Sequence, residues 1–319
     1  MATSLEALKE ITQVIADTAD FVAIKPYSVQ EATTNPIIIL QSASLPQYKN
    51  ILHKAVQYGQ NTGRNNKEVI ENTMDMINVL FGEEILKVVK YRVHIQLDPR
   101  LAFNISLSVE RALKIVKMFS ERGIDKNHVV IKLPSTWEGI QAANILEKNH
   151  HVNCNMTTMF SLTQTAACAE AGVSYLAPFV GRISLWYKEK SRETGRHEGV
   201  EILKTIQTYL RKFDYRTKVM GAYFINAEEV GAVAGCDLAT LPVALLEDFA
   251  KNNHPVTDEM AKDPKSSNLE KLVLDEARFR WLMNEDEMAT ELLAEILGVF
   301  SSHYIELENI VKEMVKLSK

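Results

Sequence analysis

Eight short apolar segments, each followed by an amphipathic stretch, run along nearly the whole chain. They are TQVIADT, EATTNP, YRVHIQLD, HVVIKLP, HVNCNMTTM, VSYLAPFV, TKVMGAYF and DLATLPV. Apolar strands that alternate with helical periodicity are typical of a parallel sheet with helical crossovers. An open doubly wound sheet is the alternative, but no GxGxxG or GxxxxGK[ST] loop follows any strand. We therefore predict an α/β fold, a single (β/α)8 TIM barrel domain spanning residues 1–319.

The chain is longer than the roughly 250 residues typical of such barrels, and the excess falls in two places. Residues 41–88 indicate extra helix between strands two and three. Residues 286–319 indicate a long terminal helix or a helix pair. We expect the apolar stripe of this segment to pack against the barrel wall. The stripe consists of Leu292, Leu293, Ile296 and Phe300.

Two internal helices show predictable ends. In SLSVERALKIVKMFSERG, Gly123 is placed to terminate the helix. In STWEGIQAANILEKN, Ser135 or Thr136 is the expected N-cap. Glu138 is placed for a capping box.

Composition excludes several classes of partner. The net charge of -5, with no block of Lys or Arg, argues against a nucleic-acid or membrane surface. No apolar run reaches the roughly 18 residues of a membrane span, and the N-terminus lacks the pattern of a secretory signal, so we expect a cytoplasmic protein. Cys154, Cys168 and Cys236 have neither CxxC nor zinc-ligand spacing, so we expect no metal and no disulfide framework.

Polar residues interrupt the predicted strands where apolar ones would pack better. The carboxyl ends of barrel strands meet at one mouth, where chemistry gathers in this fold, so these residues are expected to converge. They are Asp17, Thr33, Thr34, Asn35, Gln96, Asp98, Lys132, Asn153, Asn155 and Thr157. For an isolated Asp or Thr, a structural hydrogen bond or a cap is the simpler explanation.

Lys132 stands out because it lies inside the apolar strand HVVIKLP. A buried lysine without a partner is among the least tolerated residues. Desolvation lowers the pKa of an amine and leaves a neutral fraction that can attack a ketone carbonyl. We therefore predict a Schiff-base lysine, with Asp17 as the proton acceptor and donor.

Five longer segments point to a family. ADTAD, ATTNP, KLPSTWEGIQAA, NCNMTTMFSLTQTAACAEAG and APFVGRISLWYK closely resemble the transaldolases. These are class I (β/α)8 enzymes that move a three-carbon dihydroxyacetone unit between sugar phosphates. The resemblance covers essentially the whole chain. It implies a small-molecule carbonyl or sugar substrate, no cofactor or metal, and a homodimer.

The resemblance also implies individual roles. Lys132 matches the Schiff-base lysine, and Asp17 matches the group that takes the proton from the C4 hydroxyl. Asn35 and Asn155 match the side chains that hold the dihydroxyacetone hydroxyls. Thr33, beside Asn35, is expected in the same substrate site.

Strand three departs from the family pattern. Where the family has a glutamate in a segment like STEVDARLS, this chain has HIQLDPRLA, with Gln96 at that position. In the family this glutamate shuttles protons with a water that a threonine, here Thr157, helps to position. Glutamine can orient the water but cannot accept a proton.

The phosphate-binding end departs further. Arg182 matches one of the family's phosphate-binding arginines, but GASFRN is replaced by GAYFIN, which places Tyr223 and Ile225 where a serine and a second arginine stand. Ala177 replaces another family serine, and Phe179 beside it is expected to shape the pocket. Each lost charge-assisted hydrogen bond is worth roughly 1.5 to 3 kcal/mol, so the altered pocket favours a less charged or aromatic substrate.

Three functions remain open at this point. The chain could be an active transaldolase with weakened phosphate recognition. It could instead be a repurposed Schiff-base enzyme, an aldolase or an enzyme of condensation, acting on unphosphorylated carbonyl compounds. The third alternative is a binding or regulatory relative without turnover, which the retained Asp17, Asn35, Lys132, Asn155 and Thr157 oppose.

Overall fold

A computed structural model describes residues 3–192, 197–260 and 264–317. Eight parallel strands pair in chain order, and the first pairs with the last to close a barrel. This confirms the predicted TIM barrel. The strands are β1 Gln13–Asp17, β2 Glu31–Thr33, β3 Arg92–Gln96, β4 Val129–Pro134, β5 Cys154–Met159, β6 Tyr175–Pro178, β7 Lys218–Gly221 and β8 Leu238–Leu241.

Helices follow the strands along the chain. They are α1 Ser4–Ile11, α2 Pro36–Ala43, α3 Lys49–Thr62, α4 Asn66–Leu86, α5 Ile105–Glu121, α6 Trp137–His150, α7 Leu162–Ala171, α8 Val180–Glu189, α9 Glu198–Lys212, α10 Ala227–Ala232, α11 Val243–Lys251, α12 Glu276–Glu285 and α13 Glu287–Leu317. The extra helix expected at 41–88 is the pair α3 and α4, which pack on each other. The expected terminal segment is one long helix, α13; residues 318–319 of that prediction lie outside the described part of the chain.

The predicted helix ends are right at one site and partly wrong at the other. Gly123 follows α5 with φ +79°, a conformation that glycine adopts without strain. At α6, Thr136 is the N-cap, and its hydroxyl accepts a hydrogen bond from the Gly139 amide. The third helical residue is therefore Gly139, so Glu138 forms no capping box and pairs with Arg280 instead.

The terminal helix α13 packs against the barrel, as expected. It contacts α3 and α4, and also α2, α8 and β5, which surround the carboxyl end of the barrel. Leu292, Ile296 and Phe300 are buried as predicted, but Phe300 also lines the pocket at the barrel mouth. The helix thus contributes to the site as well as to the core.

Cys154, Cys168 and Cys236 are buried with free thiols. No helix among the described residues is long and apolar enough to cross a membrane.

Candidate active site

A small pocket lies at the carboxyl ends of the strands, where the sequence analysis expected chemistry. Its cavity volume is about 40 Å³. The lining residues are Asp17, Thr33, Asn35, Ile37, Lys132, Asn155, Ala177, Phe179, Met220, Ala222, Tyr223, Thr240 and Phe300. Of the twelve residues that the sequence assigned a catalytic or substrate-binding role, eight line this pocket. Those left out of the lining are Gln96, Thr157, Arg182 and Ile225.

Strand register explains why three polar residues meet. Gln96 on β3 and Lys132 on β4 are Cα partners, and Lys132 is also the Cα partner of Asn155 on β5. Partnered residues on neighbouring strands point to the same face of a sheet. All three are buried, so they form a row inside the barrel. Asn153, two residues before Asn155, lies at the opposite end of the barrel. The prediction that it lies at the mouth is wrong.

Lys132 has the environment of a nucleophilic amine. Its side chain is 5% exposed, and Nζ donates to the carbonyl oxygen of Thr34 at 2.8 Å. Burial lowers the pKa of Lys132 to about 8, and the charge of Asp17 opposes part of that shift. A substantial neutral fraction therefore exists near physiological pH, as attack on a carbonyl requires.

This environment predicts a pH profile for the reaction of Lys132 with a ketone. The rate should rise with pH up to about 8 and then level off, because the neutral amine reacts and its fraction saturates above the pKa. Asp17→Asn removes the charge that favours the ammonium form, so the inflection should move to lower pH. Borohydride trapping across a range of roughly pH 5.5 to 10 measures the profile in the unmodified protein and in Asp17→Asn. An inflection at the same pH in both would show that the Asp17 charge does not affect the pKa of Lys132.

Asp17 is held by Thr33, which in turn contacts Thr240. Thr33 Oγ1 donates to Asp17 Oδ1 at 2.6 Å, and Thr33 Oγ1 lies 2.7 Å from Thr240 Oγ1. Burial raises the pKa of Asp17, whereas the Lys132 charge and the Thr33 hydrogen bond oppose the rise. A carboxyl group with a raised pKa can both accept and return a proton. Its fixed orientation suits that exchange.

Asn35 has a structural function as well as a place in the pocket. Its Oδ1 accepts from the Ile38 amide at 2.9 Å and caps α2. The cap fixes the side chain at the pocket wall and occupies its carbonyl oxygen. Its amide nitrogen is therefore the group suited to bind a substrate oxygen.

Several buried polar atoms near the lysine have no hydrogen-bond partner among the described residues. They are Nε2 and Oε1 of Gln96, Oδ1 of Asn155 and Oγ1 of Thr157. The pairing of β5 with β6 is irregular between Met156 and Met159, and Thr158 has φ +53°. A β-branched residue in that region is strained, and such strain and bulges concentrate at functional sites.

The guanidinium of Arg182 forms an ion pair. Arg182, at the start of α8, is 9% exposed, and its Nη2 donates to Oε1 and Oε2 of Glu295 at 2.8 and 2.9 Å. Glu295 belongs to α13 and is half exposed. Nη2 and much of the charge are therefore engaged by a carboxylate, whereas Nε is buried without a partner among the described residues.

Tyr223 and Ile225 form an exposed rim near the start of α8. Tyr223 is 43% exposed and lines the pocket, with its ring stacked on Phe179 at 5.8 Å between centroids. Its φ of +56° is strained for a bulky residue. Ile225 is 47% exposed and lies outside the pocket lining, next to Gly181.

A family model described as Transaldolase/Fructose-6-phosphate aldolase matches residues 14–311. The chain belongs to this family. It is 45% identical over 317 residues to a probable transaldolase of Drosophila melanogaster, covering 98% of this chain and 96% of that protein. It is 44% identical over 318 residues to a transaldolase of Homo sapiens, covering 98% and 94% respectively. The resemblance seen in the sequence motifs is confirmed.

Three residues of this transaldolase-family site were not predicted from the sequence. Phe300 reaches the pocket from α13, a helix whose stripe indicated packing alone. Glu31 and His94 were assigned no role from the sequence. Both lie buried beneath the pocket, where His94 Nδ1 is 3.0 Å from Asn155 Nδ2. Only the alternation of side chains along β3 could have indicated that His94 points inward.

A larger cavity, of about 600 Å³, lies at the amino ends of the strands. It is lined by Arg92, Asn153, Ala169, Gly172, Val173, Ser174, Tyr175, Asp214, Tyr215, Arg216, Thr217 and Lys218. Conserved chemistry in this fold sits at the other end, and this cavity contains none of the lysine–carboxyl arrangement described above. Within the described ranges, no group of three or more His, Cys, Asp or Glu side chains could hold a metal ion.

Proposed function

We propose that this transaldolase-family protein uses Lys132 to form a Schiff base with a ketose or a dihydroxyacetone unit and so cleaves and forms carbon–carbon bonds. One observation carries the proposal: the Lys132 amine is buried, with its pKa lowered to about 8, in a pocket that also contains Asp17. A lysine of this kind is a nucleophile, and a carboxyl group beside it supplies acid–base catalysis.

The steps follow from the groups present. The neutral Lys132 amine attacks the ketone carbon, and loss of water from the carbinolamine gives an iminium ion. Asp17 takes the proton from the C4 hydroxyl, the C3–C4 bond breaks, and its electron pair passes into the iminium to give an enamine. The aldehyde half leaves, and the enamine attacks an acceptor aldehyde while Asp17 returns its proton to the new hydroxyl oxygen. Water then hydrolyses the resulting iminium ion, which releases the new ketose and regenerates the amine.

The pocket walls support binding of the three-carbon unit. Asn35 offers an amide nitrogen that can donate to a hydroxyl oxygen of the substrate, and Asn155 offers an amide oxygen that can accept from a hydroxyl hydrogen. A homodimer remains a prediction from the family resemblance.

The residues at the positions where the family binds the substrate phosphate support an altered substrate preference. Arg182 is already paired with Glu295, and Tyr223 and Ile225 replace polar groups with an exposed apolar rim. We propose a substrate whose distal end is less charged, or aromatic, so that it can lie on the stacked rings of Tyr223 and Phe179. Catalysis by the lysine and recognition of phosphate are thus separable in this chain.

An ordinary sugar-phosphate transaldolase is the second candidate, favoured by the names of the relatives at 44 to 45% identity. A transfer assay separates the two. Fructose and fructose 6-phosphate are supplied as donors with one common acceptor aldehyde, and the new ketose is measured by mass. Our proposal expects the kcat/KM for fructose to equal or exceed that for fructose 6-phosphate; a large preference for the phosphorylated donor would instead establish the second candidate.

Because position 96 is a glutamine, we expect proton transfer during imine formation to be slow. It is the Cα partner of Lys132 and is buried, but its amide cannot accept a proton. We expect Gln96→Glu to accelerate imine formation by roughly 100-fold, at the lower end of the range for a positioned general base. Stopped-flow detection of the imine tests this, with Gln96→Met as the control that removes hydrogen bonding without adding a base. Equal rates in Gln96→Glu and the unmodified protein would show that this side chain does not limit the step.

A further inference from the structure

A chain of buried polar side chains runs beneath the pocket, from β2 through β3 to β5. Asn155 Nδ2 lies 3.0 Å from His94 Nδ1, and His94 Nε2 lies 2.9 Å from Glu31 Oε2. The three residues are at most 1% exposed. Gln13 Nε2 and Arg92 Nη1 both reach Glu31 Oε1, at 3.1 and 3.3 Å.

The chain has one favourable direction of donation. Burial alone would raise the pKa of Glu31, but its hydrogen bonds with His94 and Gln13 and the charge of Arg92 lower it, so the carboxyl group is ionised. A carboxylate only accepts, so His94 Nε2 must carry the hydrogen. Burial lowers the pKa of His94, which keeps the ring neutral and leaves Nδ1 as an acceptor. Asn155 must then donate from Nδ2.

This direction determines how the Asn155 amide is oriented. The opposite amide orientation would place Oδ1 against the lone pair of Nδ1, which is repulsive. With Nδ2 committed to His94, Oδ1 is the atom left over, and it is buried without a partner among the described residues. Asn155 lines the pocket beside Lys132, its Cα partner. The result is a fixed acceptor next to the nucleophile.

We propose that His94 is a positioning residue, held in its Nε2–H tautomer by Glu31, that locks Asn155 with its amide oxygen ready to accept a hydrogen bond from a hydroxyl group of the ketone substrate. This rests on the proposed Schiff-base function and adds a specificity to it. The site selects ketones that carry a hydroxyl beside the carbonyl. A merely structural histidine would not affect that selection.

Two substitutions at position 94 separate the two ends of the imidazole. His94→Asn keeps a side-chain acceptor near the position of Nδ1 and gives up the bond to Glu31, which retains Gln13 and Arg92. His94→Gln reaches towards Glu31 as Nε2 does and gives up the acceptor for Asn155. Thermal unfolding of both variants identifies any general loss of folding.

The readout is borohydride trapping on Lys132 with dihydroxyacetone, hydroxyacetone and acetone, which carry two, one and no hydroxyl groups. We expect His94→Gln to lose about tenfold in the dihydroxyacetone-to-acetone rate ratio, the size of one hydrogen bond, and His94→Asn to keep most of it. A ratio unchanged in His94→Gln, or lowered equally in both variants, would overturn the assignment. If the unmodified protein formed no adduct with any of the three, the Schiff-base function would fail, and the positioning role with it.

Discussion

Lys132→Met should abolish adduct formation with every ketone and lower turnover by roughly 10⁴-fold or more, since a covalent route cannot proceed without its nucleophile. Methionine has a similar length and no amine, so it tests the chemistry with little change in packing. The fold should survive, because the change removes a buried ammonium group whose desolvation is costly. Intact mass after borohydride treatment and a transfer assay measure the two effects.

Lys87→Met is the matched control. Lys87 has 58% of its side chain exposed and pairs with Glu84 on the surface. It should leave both the adduct and turnover unchanged. An adduct that persists in Lys132→Met and disappears in another lysine variant would assign the chemistry to a different residue.

Rebuilding the anion site should have the second largest effect. Tyr223→Ser together with Ile225→Arg restores a hydroxyl and a guanidinium at the rim, and Glu295→Gln removes the carboxylate now paired with Arg182. Each charge-assisted hydrogen bond is worth roughly 1.5 to 3 kcal/mol, so the KM for fructose 6-phosphate should fall by about 10 to 100-fold in the triple variant. The KM for fructose should stay the same or rise.

Glu287→Gln is the matched control for Glu295→Gln. Glu287 lies on the same helix and pairs with Arg192 on the surface, so its substitution removes the same charge without affecting Arg182. Initial rates over a range of both donors give the values. Equal KM values for fructose 6-phosphate in the triple variant and the unmodified protein would show that these positions do not determine phosphate recognition.

The fold was predictable because periodicity is a property of the sequence itself. Eight apolar strands with helical crossovers specify a closed parallel barrel. Lys132 was predictable for a similar reason, since a charge inside the apolar strand Val129–Pro134 conflicts with burial unless it has a use. The position of Asn153 was not, because β5 begins only at Cys154 and strand ends are poorly marked in sequence.

What sequence could not supply was contact between distant segments. The pairing of Arg182 with Glu295 joins residues 113 positions apart, and nothing in the charge pattern of α13 distinguishes Glu295 from its exposed neighbours. The chain from Glu31 through His94 to Asn155 depends on the register of three strands in space. The stacking of Tyr223 on Phe179 depends on a φ of +56° that its residue type disfavours.

The central claim is that the lysine chemistry is retained while phosphate recognition is weakened. The most direct measurement is borohydride trapping read by intact mass, at matched low concentrations of fructose 6-phosphate, fructose and dihydroxyacetone, with Lys132→Met beside the unmodified protein. We predict a Lys132-dependent adduct from the uncharged ketones, and we expect fructose 6-phosphate at the same concentration to give no higher yield of adduct. A much stronger adduct from fructose 6-phosphate would contradict the weakened anion site, and no adduct from any of them would contradict the Schiff base itself.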